Sequence, residues 1–287
     1  MMKNLPGTPF DAERFSIMTP QQQERVLEMY GLNDSLPMQY VKYIKNMLKG
    51  DLGTSFTYVN QDVSKVITGR LGPSALIGIQ AVLIGLAIGL ILGILAAWKH
   101  NSGIDYFTMI LAVLGVSVPN FVAAALLQYY IGLKWGVLPV GFWTGWNCSV
   151  LPSIALSFSA TAMVARFMRT EMLDVLDQDY IVTARAKGLS QMKVLMRHAV
   201  RNSILPVVTI LGPIVVNLMT GSLAVENIFS IPGIGSLFVD CIKANDYPVI
   251  MGITIFYAAF YMLIVLLVDL AYSLIDPRIR LAKGKES

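Results

Sequence analysis

The chain has 287 residues, of which 55% are hydrophobic and only 14% are charged, so its composition lies far outside the usual range for a soluble domain. A formal net charge of +4 would suit nucleic acid, but the basic residues flank apolar runs instead of forming one patch. That distribution orients membrane proteins, so no nucleic-acid partner is expected. The composition predicts an all-α, polytopic membrane protein.

Five apolar segments are long enough to cross a bilayer, because a helix rises about 1.5 Å per residue and the hydrocarbon core is about 30 Å thick. In chain order they are residues 75–98, 106–133, 151–168, 204–225 and 249–275. Pro119 lies within the second segment, and Pro206 and Pro213 lie within the fourth. Kinked spans are expected there, since neighbouring helices can satisfy the freed carbonyls.

The basic residues also predict the orientation of these spans. Seven lysines and arginines lie between residues 166 and 201, and four lie after residue 277. The loops after the second and fourth spans hold only Lys134 and Lys243. We therefore expect the loop after the third span and the C-terminus to be cytoplasmic, which places residues 1–70 outside.

Residues 1–70 contain no apolar run, and such a region is difficult to export without a preceding span or signal peptide. We expect a further span of about 20 apolar residues upstream of Met1. The alternative is a protein whose N-terminus is outside without one. The expected organisation is an extracytoplasmic region (1–70) and a transmembrane domain (71–287) that contains a cytoplasmic loop (171–203).

Residues 179–206 form the most unusual stretch, because loops between spans rarely need so many basic residues. Asp179 is a suitable N-cap for a short helix, and Gly188 suits the left-handed position that ends it. Ser190 would cap a second helix. Its predicted apolar face is Leu189, Met192, Leu195, Met196 and Ala199, and its basic face is Lys193, Arg197 and Arg201. The second helix suits either lipid headgroups or a partner, whereas the first suits a protein cleft.

Several segments together resemble one family. They are residues 30–55, QDYIVTARAKGLS (178–190), RHAVRNSILPV (197–207), ENIFSIPGIGS (226–236) and DPRIR (276–280). Over essentially the whole chain the sequence resembles ABC importer permeases of the oligopeptide/dipeptide branch, and within it the first oligopeptide permease subunit. Such permeases usually have six spans, which agrees with an upstream span. Val182 stands where the general pattern of the cytoplasmic loop has glutamate, so a salt bridge from that position is not expected.

The resemblance implies a type I ABC importer transmembrane domain that moves oligopeptides across the bacterial cell membrane. The implied partners are a second homologous permease subunit, two ABC ATPase subunits, an extracytoplasmic peptide-binding lipoprotein and membrane lipid. ATP hydrolysis would belong to the ATPase, since this chain has no phosphate-binding G-x-x-x-x-G-K-[ST] motif and is not expected to be an enzyme. The implied ATPase-coupling residues are Asp179, Tyr180, Thr183, Ala184, Arg185, Ala186, Lys187 and Gly188.

Some polar residues lie at membrane depth and could line a path or simply join helices. They are Gln80, Asn120, Gln128, Asn217 and Asp269. Asp269 is the sharpest candidate because an ionisable group within a span is costly. Gly85, Gly89 and Gly93 are spaced for close helix packing.

Other readings remain open. A permease of the same architecture could instead carry dipeptides, glutathione-like peptides or nickel chelates. The alternative from another class is an ATP-independent secondary transporter. Such a transporter would be expected to show a charged relay in several spans or an inverted repeat, and neither is visible in the sequence. Cys148 and Cys241 permit a disulfide but are better read as unrelated thiols. We expect no catalytic group, cofactor or metal site.

Overall fold

The computed structural model describes residues 17–29, 33–58, 61–219 and 223–275, and these residues fold into helices. β-Type pairing within them is confined to an isolated bridge between Thr54 and Asp62. The helices are α1 (Pro20–Met29), α2 (Leu36–Met47), α3 (Val63–Trp98), α4 (Gly103–Ser117), α5 (Asn120–Leu127), α6 (Val150–Leu176), α7 (Asp179–Ala186), α8 (Gln191–Lys193), α9 (Arg201–Met219), α10 (Leu223–Ile228), α11 (Ile234–Lys243) and α12 (Tyr247–Ile275). Two π-helical turns, Gln128–Lys134 and Val194–Val200, and one 3-10 turn, Trp146–Ser149, join them.

The apolar helices match the five predicted spans. Among the described residues, four helical stretches are long and apolar enough to cross a membrane: Val63–Trp98, Trp146–Leu176, Gln191–Ile228 and Tyr247–Leu270. A fifth candidate is the helix pair Gly103–Ser117 and Asn120–Lys134, if both helices belong to one span. Several helices are longer than the apolar runs because polar residues continue the helix beyond them.

The second predicted span differs from the expected kinked helix. It is broken between α4 and α5, whose axes bend by 100°. The break follows from Pro119, which disfavours helical backbone at the preceding residue, and Val118 is extended with φ −81° and ψ 119°. Pro206 and Pro213, in contrast, lie inside α9, which continues through both of them.

One of two compact units consists of residues 1–72 and 233–258. Its apolar core includes Val63, Ile67, Leu237 and Ile253, which are all nearly fully buried. A buried carboxylate, that of Asp246, accepts the backbone N–H groups of Phe56 and Thr57 at 3.2 and 3.0 Å and the hydroxyl of Ser55. This carboxylate fixes the loop that precedes α3.

The other unit consists of residues 73–232 and 259–287, and α6 runs through its core. Helix α6 packs against α4, α5 and α9. Three glycines let α3 approach α6 closely, as their spacing predicted. A Cβ atom would lie 2.8 Å from Ala160 Cβ at Gly85, 2.7 Å from Val164 Cβ at Gly89 and 2.6 Å from the carbonyl oxygen of Ala165 at Gly93.

Both cysteines are free thiols. Cys148 and Cys241 are each buried. The thiol of Cys241 packs within the core of the first unit.

Candidate functional site

Helix α7 and the two residues after it, Lys187 and Gly188, contain the predicted coupling residues, and the first turn of the helix differs from expectation. The helix begins at Asp179 itself, so the N-cap is Gln178, which has extended backbone with φ −77° and ψ 147°. Asp179 was expected to be the N-cap, but no side-chain capping bond is present. Its carboxylate lies in the first turn, where a negative charge is favoured by the helix dipole.

The C-terminal end of α7 is formed as the sequence predicted. Gly188 has φ +78°, and its N–H donates to the carbonyl of Arg185 at 2.9 Å. The N–H of Leu189 donates to the carbonyl of Ala184 at 3.3 Å. These two bonds are the Schellman arrangement, which satisfies carbonyls at a helix end and needs a residue that tolerates left-handed backbone.

Two buried side chains pack α7 against neighbouring parts of the permease. Ile181 is completely buried and Ala184 is 6% exposed, and both pack with Val194 and with Val175 and Leu176 at the end of α6. Sequence reasoning missed Ile181, because an eight-residue helix is too short to show a clear apolar period. Ala184 stays a predicted coupling residue, but its side chain contacts α7's own supports.

The opposite face of α7 is open. Its exposed members are Asp179, Tyr180, Val182, Thr183, Arg185, Ala186 and Lys187. Val182 was not among the predicted coupling residues, yet it is 59% exposed and gives this face an apolar centre. The Tyr180 hydroxyl accepts a hydrogen bond from the Asn202 side chain at 2.9 Å, which orients the ring. The two cations of this face, Arg185 and Lys187, form no ion pair within the described residues.

The helix after Ser190 differs from the predicted amphipathic pattern. Ser190 is extended at the start of α8 as expected, but α8 continues into the π-helical turn Val194–Val200. The wider turn changes which side chains share a face. Leu195 and Ala199 are buried as expected together with Val194, whereas Met192 and Met196, predicted for the same face, are 51% and 54% exposed.

The polar residues within the spans mostly join helices. Ser153 donates to Gln80 at 2.8 Å, and the Asn120 side chain donates to Ser159 at 3.5 Å. The Gln128 amide donates to two carbonyls, those of Val140 at 2.5 Å and Ile228 at 2.7 Å. Asn217 and Asp269 are exposed on α9 and α12. For the first three, helix packing is therefore the better account.

A further buried carboxylate, which sequence reasoning did not select, lies in α10. Glu226 of α10 is 2% exposed and accepts a hydrogen bond from the Ser74 hydroxyl at 2.7 Å. The signal was present in the sequence, since Glu226 opens the ENIFSIPGIGS segment and follows an apolar run. The last quoted segment, DPRIR at 276–280, lies outside the described residues.

The family follows from comparison with known proteins. Residues 89–281 match the family described as binding-protein-dependent transport system inner membrane component. The chain belongs to this family. The matched range contains α7 and both helices around it, so the family's sequence pattern includes the candidate site.

Curated relatives match almost the whole chain. The dipeptide transport system permease protein DppB of Lactococcus lactis is 44% identical over 98% of this chain and 92% of its own length. DppB of Bacillus subtilis is 43% identical over 99% and 91%. The oligopeptide transport system permease protein OppB of Salmonella typhimurium is 39% identical over 98% and 92%. The resemblance to the oligopeptide/dipeptide branch is thereby confirmed.

Solved structures show the same fold. An inward-facing MetNI methionine ABC transporter matches with a TM-score of 0.63 at 14% identity, over 74% of this chain and 97% of that chain. An amino acid ABC transporter crystallised with histidines matches with a TM-score of 0.55 at 19% identity, over 75% and 94%. The expected type I ABC importer transmembrane fold is confirmed, and the protein is a multi-pass membrane protein.

Proposed function

We propose that this chain is the permease subunit of an ATP-driven peptide importer and that α7 is its contact with an ATPase subunit. The observation that carries this proposal is the two-sided character of α7. One face is fixed to the permease by Ile181 and Ala184, and the other presents Val182 between polar and basic side chains. A helix that is anchored on one side and exposed on the other can transmit the movement of a bound partner to the permease.

The proposed assembly contains a second homologous permease subunit, two ATPase subunits and an extracytoplasmic peptide-binding lipoprotein. In it, α7 and the C-terminus lie in the cytoplasm, and residues 1–70 face the binding protein. Arg185 and Lys187 would meet acidic groups at the rim of the ATPase groove, since both are exposed and unpaired within the described part of the chain. ATP-driven closure must then favour one of two permease conformations over the other.

Val182→Arg and Ala186→Arg test the contact, because both positions are exposed. Ala184→Arg would be uninformative, since it would also unpack α7 from α6. We expect each exposed variant to lose co-purifying ATPase and ATP-dependent uptake while the permease still accumulates in the membrane. Asn46→Arg, at an exposed position of α2, is the control for assembly and should retain the co-purifying ATPase. Retention of both the ATPase and ATP-dependent uptake by the two α7 variants would refute the assignment.

The proposed cargo is oligopeptides, and dipeptides are a second candidate with specific support. The two DppB relatives are 44% and 43% identical, whereas the OppB relatives are 38–39% identical. Competition of labelled dipeptide uptake by unlabelled dipeptides and hexapeptides would decide between them. Uptake that continues without ATP would instead favour a secondary transporter.

A further inference from the structure

A buried ion pair joins α6 to the start of α4. The guanidinium of Arg169 binds the carboxylate of Asp105 with both ends, Nε to Oδ1 at 2.5 Å and Nη2 to Oδ2 at 2.8 Å. The Asp105 side chain is only 2% exposed and that of Arg169 is 20% exposed. A bidentate arrangement of this kind fixes the relative orientation of its two groups as well as their distance.

The turn between α3 and α4 closes around the same carboxylate. The N–H of Asn101 donates to Asp105 Oδ2 at 3.0 Å, and Asn101 is in the left-handed region with φ +58°. His100 Nδ1 lies 3.1 Å from Asp105 Oδ2 and 3.2 Å from Arg169 Nη2. Three polar groups from the turn and from α6 therefore converge on Asp105.

Arg169 is also close to α7 in the chain. It lies seven residues, about two helical turns, before the end of α6 at Leu176. The junction to α7 is short and bonded: the N–H of Gln178 donates to Val175, and that of Ile181 donates to Gln178. Because Ile181 also packs on Val175 and Leu176, displacement of α7 must displace the end of α6.

Close packing between α3 and α6 restrains α6 near Arg169. A Cβ at Gly93 would lie 2.6 Å from the Ala165 carbonyl oxygen and 3.2 Å from the Arg169 backbone nitrogen. The end of α6 therefore has little freedom to slide along α3 without disturbing Arg169. The Arg169–Asp105 bonds link this point to α4.

We propose that Asp105 and Arg169 are positioning residues that transmit movement of α7 to α4 during ATP-driven transport. This inference rests on the proposed function of α7. It extends that function to two residues, Asp105 and Arg169, that lie outside the cytoplasmic loop 171–203. The pair makes α4 follow α6, so that each hydrolysis event at the partner is accompanied by a change of the permease. Without the pair, only the apolar packing between α6 and α4 remains, and we expect α4 to follow α6 less completely.

The measurement is the number of peptides imported per ATP hydrolysed. The importer is reconstituted in proteoliposomes with its partner permease, ATPases and binding protein. Asp105→Asn and Arg169→Met each leave a charge uncompensated in a buried site, so both are expected to lower thermal stability as well as the ratio. The Asp105→Asn/Arg169→Met double variant removes both charges and separates the two effects, because removal of both partners is far less destabilising than removal of one.

We expect the double variant to assemble, to hydrolyse ATP and to import about tenfold fewer peptides per ATP than the wild type, a size typical of coupling between sites. Arg166→Gln, an exposed arginine one turn earlier on α6, is the matched control and should keep the wild-type ratio. A wild-type ratio in the double variant would overturn the proposal. So would a double variant that fails to assemble, since the pair would then serve only folding.

These outcomes are distinct from failure of the proposed function. If the wild-type complex hydrolyses no ATP or imports no peptide, the assignment of the whole chain fails. If the wild type imports peptides with ATP and the double variant matches it, only the role of Asp105 and Arg169 fails. An equal loss in Arg166→Gln would also reject the pair, because loss of any α6 cation would then suffice.

Discussion

At the scale of single residues, the buried carboxylates were the hardest features to foresee. Asp105 pairs with an arginine 64 residues away, and Asp246 binds a loop about 190 residues away. Local sequence patterns carry no information on such partners. Gly188 was predictable in contrast, because its role depends only on the backbone of the helix it ends.

Replacement of Asp246 by Asn should destabilise the loop before α3. Asn can accept with one oxygen only, so at least one donor loses its partner among the buried Ser55 hydroxyl and the partly buried N–H groups of Phe56 and Thr57. An unpaired buried donor costs about 1–3 kcal/mol, and a partly buried one costs less. Thermal unfolding in detergent and proteolysis within residues 49–58 should both report it. Asp62→Asn, at a half-exposed carboxylate, is the control and should have a much smaller effect.

The thiol of Cys241 should be inert in the folded protein. Burial and the nearby carboxylates of Asp246 and Asp240 raise its pKa from 9.0 to about 12. At pH 8 the thiolate fraction is then about a thousandfold below that of an unperturbed thiol, since each pKa unit is tenfold. Maleimide labelling, located by mass spectrometry, should be negligible before denaturation and complete after it. Rapid labelling of the native protein would contradict the burial.

The same shift has a consequence for stability at high pH. Because the Cys241 thiol has the higher pKa in the folded protein, it loses its proton first in the unfolded chain as pH rises. Below pH 9 the thiol is protonated in both states, so it does not change the free energy of unfolding. The free energy of unfolding should fall as pH rises from about 9 towards 12. Cys241→Ala should remove this contribution, which thermal unfolding at pH 8 and pH 10 would reveal.

At the scale of helices, the length and apolar character of the spans were predictable, whereas the residues that share a buried face were not. The five spans emerged from the sequence because bilayer thickness sets a minimum apolar length. The sequence predicted a kinked helix where the structure has a break at Val118, and it did not predict the π turn at 194–200, beside which Met192 and Met196 are exposed. Both depend on packing partners that lie elsewhere in the chain.

Gly188→Ala should loosen α7 by about 1–2 kcal/mol, the cost of left-handed backbone for a residue with a Cβ. No atom lies within 4 Å of the new Cβ, so the effect is conformational and not a clash. Hydrogen exchange of the amides in α7 should accelerate accordingly. Gly69→Ala is the matched control, because Gly69 also has open space but lies within helix α3. Equal exchange in both variants would refute the role of Gly188.

Gly89→Ala should weaken packing between α3 and α6. The added Cβ would lie 2.7 Å from Val164 Cβ and 2.9 Å from the Thr161 carbonyl oxygen, so one helix must shift. Overpacking of this kind typically costs about 1–3 kcal/mol. The melting temperature of the purified protein should fall, whereas Gly72→Ala, on the same helix with open space, should leave it unchanged or higher. A similar melting temperature for both variants would contradict the close approach.

At the scale of the whole molecule, orientation is a prediction from charge alone. Single cysteines at Thr183 and Asn46 test it, since both positions are exposed and the native cysteines are buried. In intact cells that lack the ATPase subunits, which would cover Thr183, a membrane-impermeant maleimide should label Asn46→Cys at once, and Thr183→Cys only after permeabilisation. The reverse pattern would invert the topology and remove α7 from the compartment that contains ATP.

The anchoring of α7 by Ile181 and Ala184 has a final consequence for the thermodynamics of assembly. A helix that forms only on contact must lose backbone freedom during binding, at about 1–2 kcal/mol per ordered residue. Since α7 is already folded on α6, its ordering is complete before a partner arrives. If α7 is the ATPase contact that we propose, its folding adds no cost to assembly, and a substitution at Ile181 would weaken association without touching the partner.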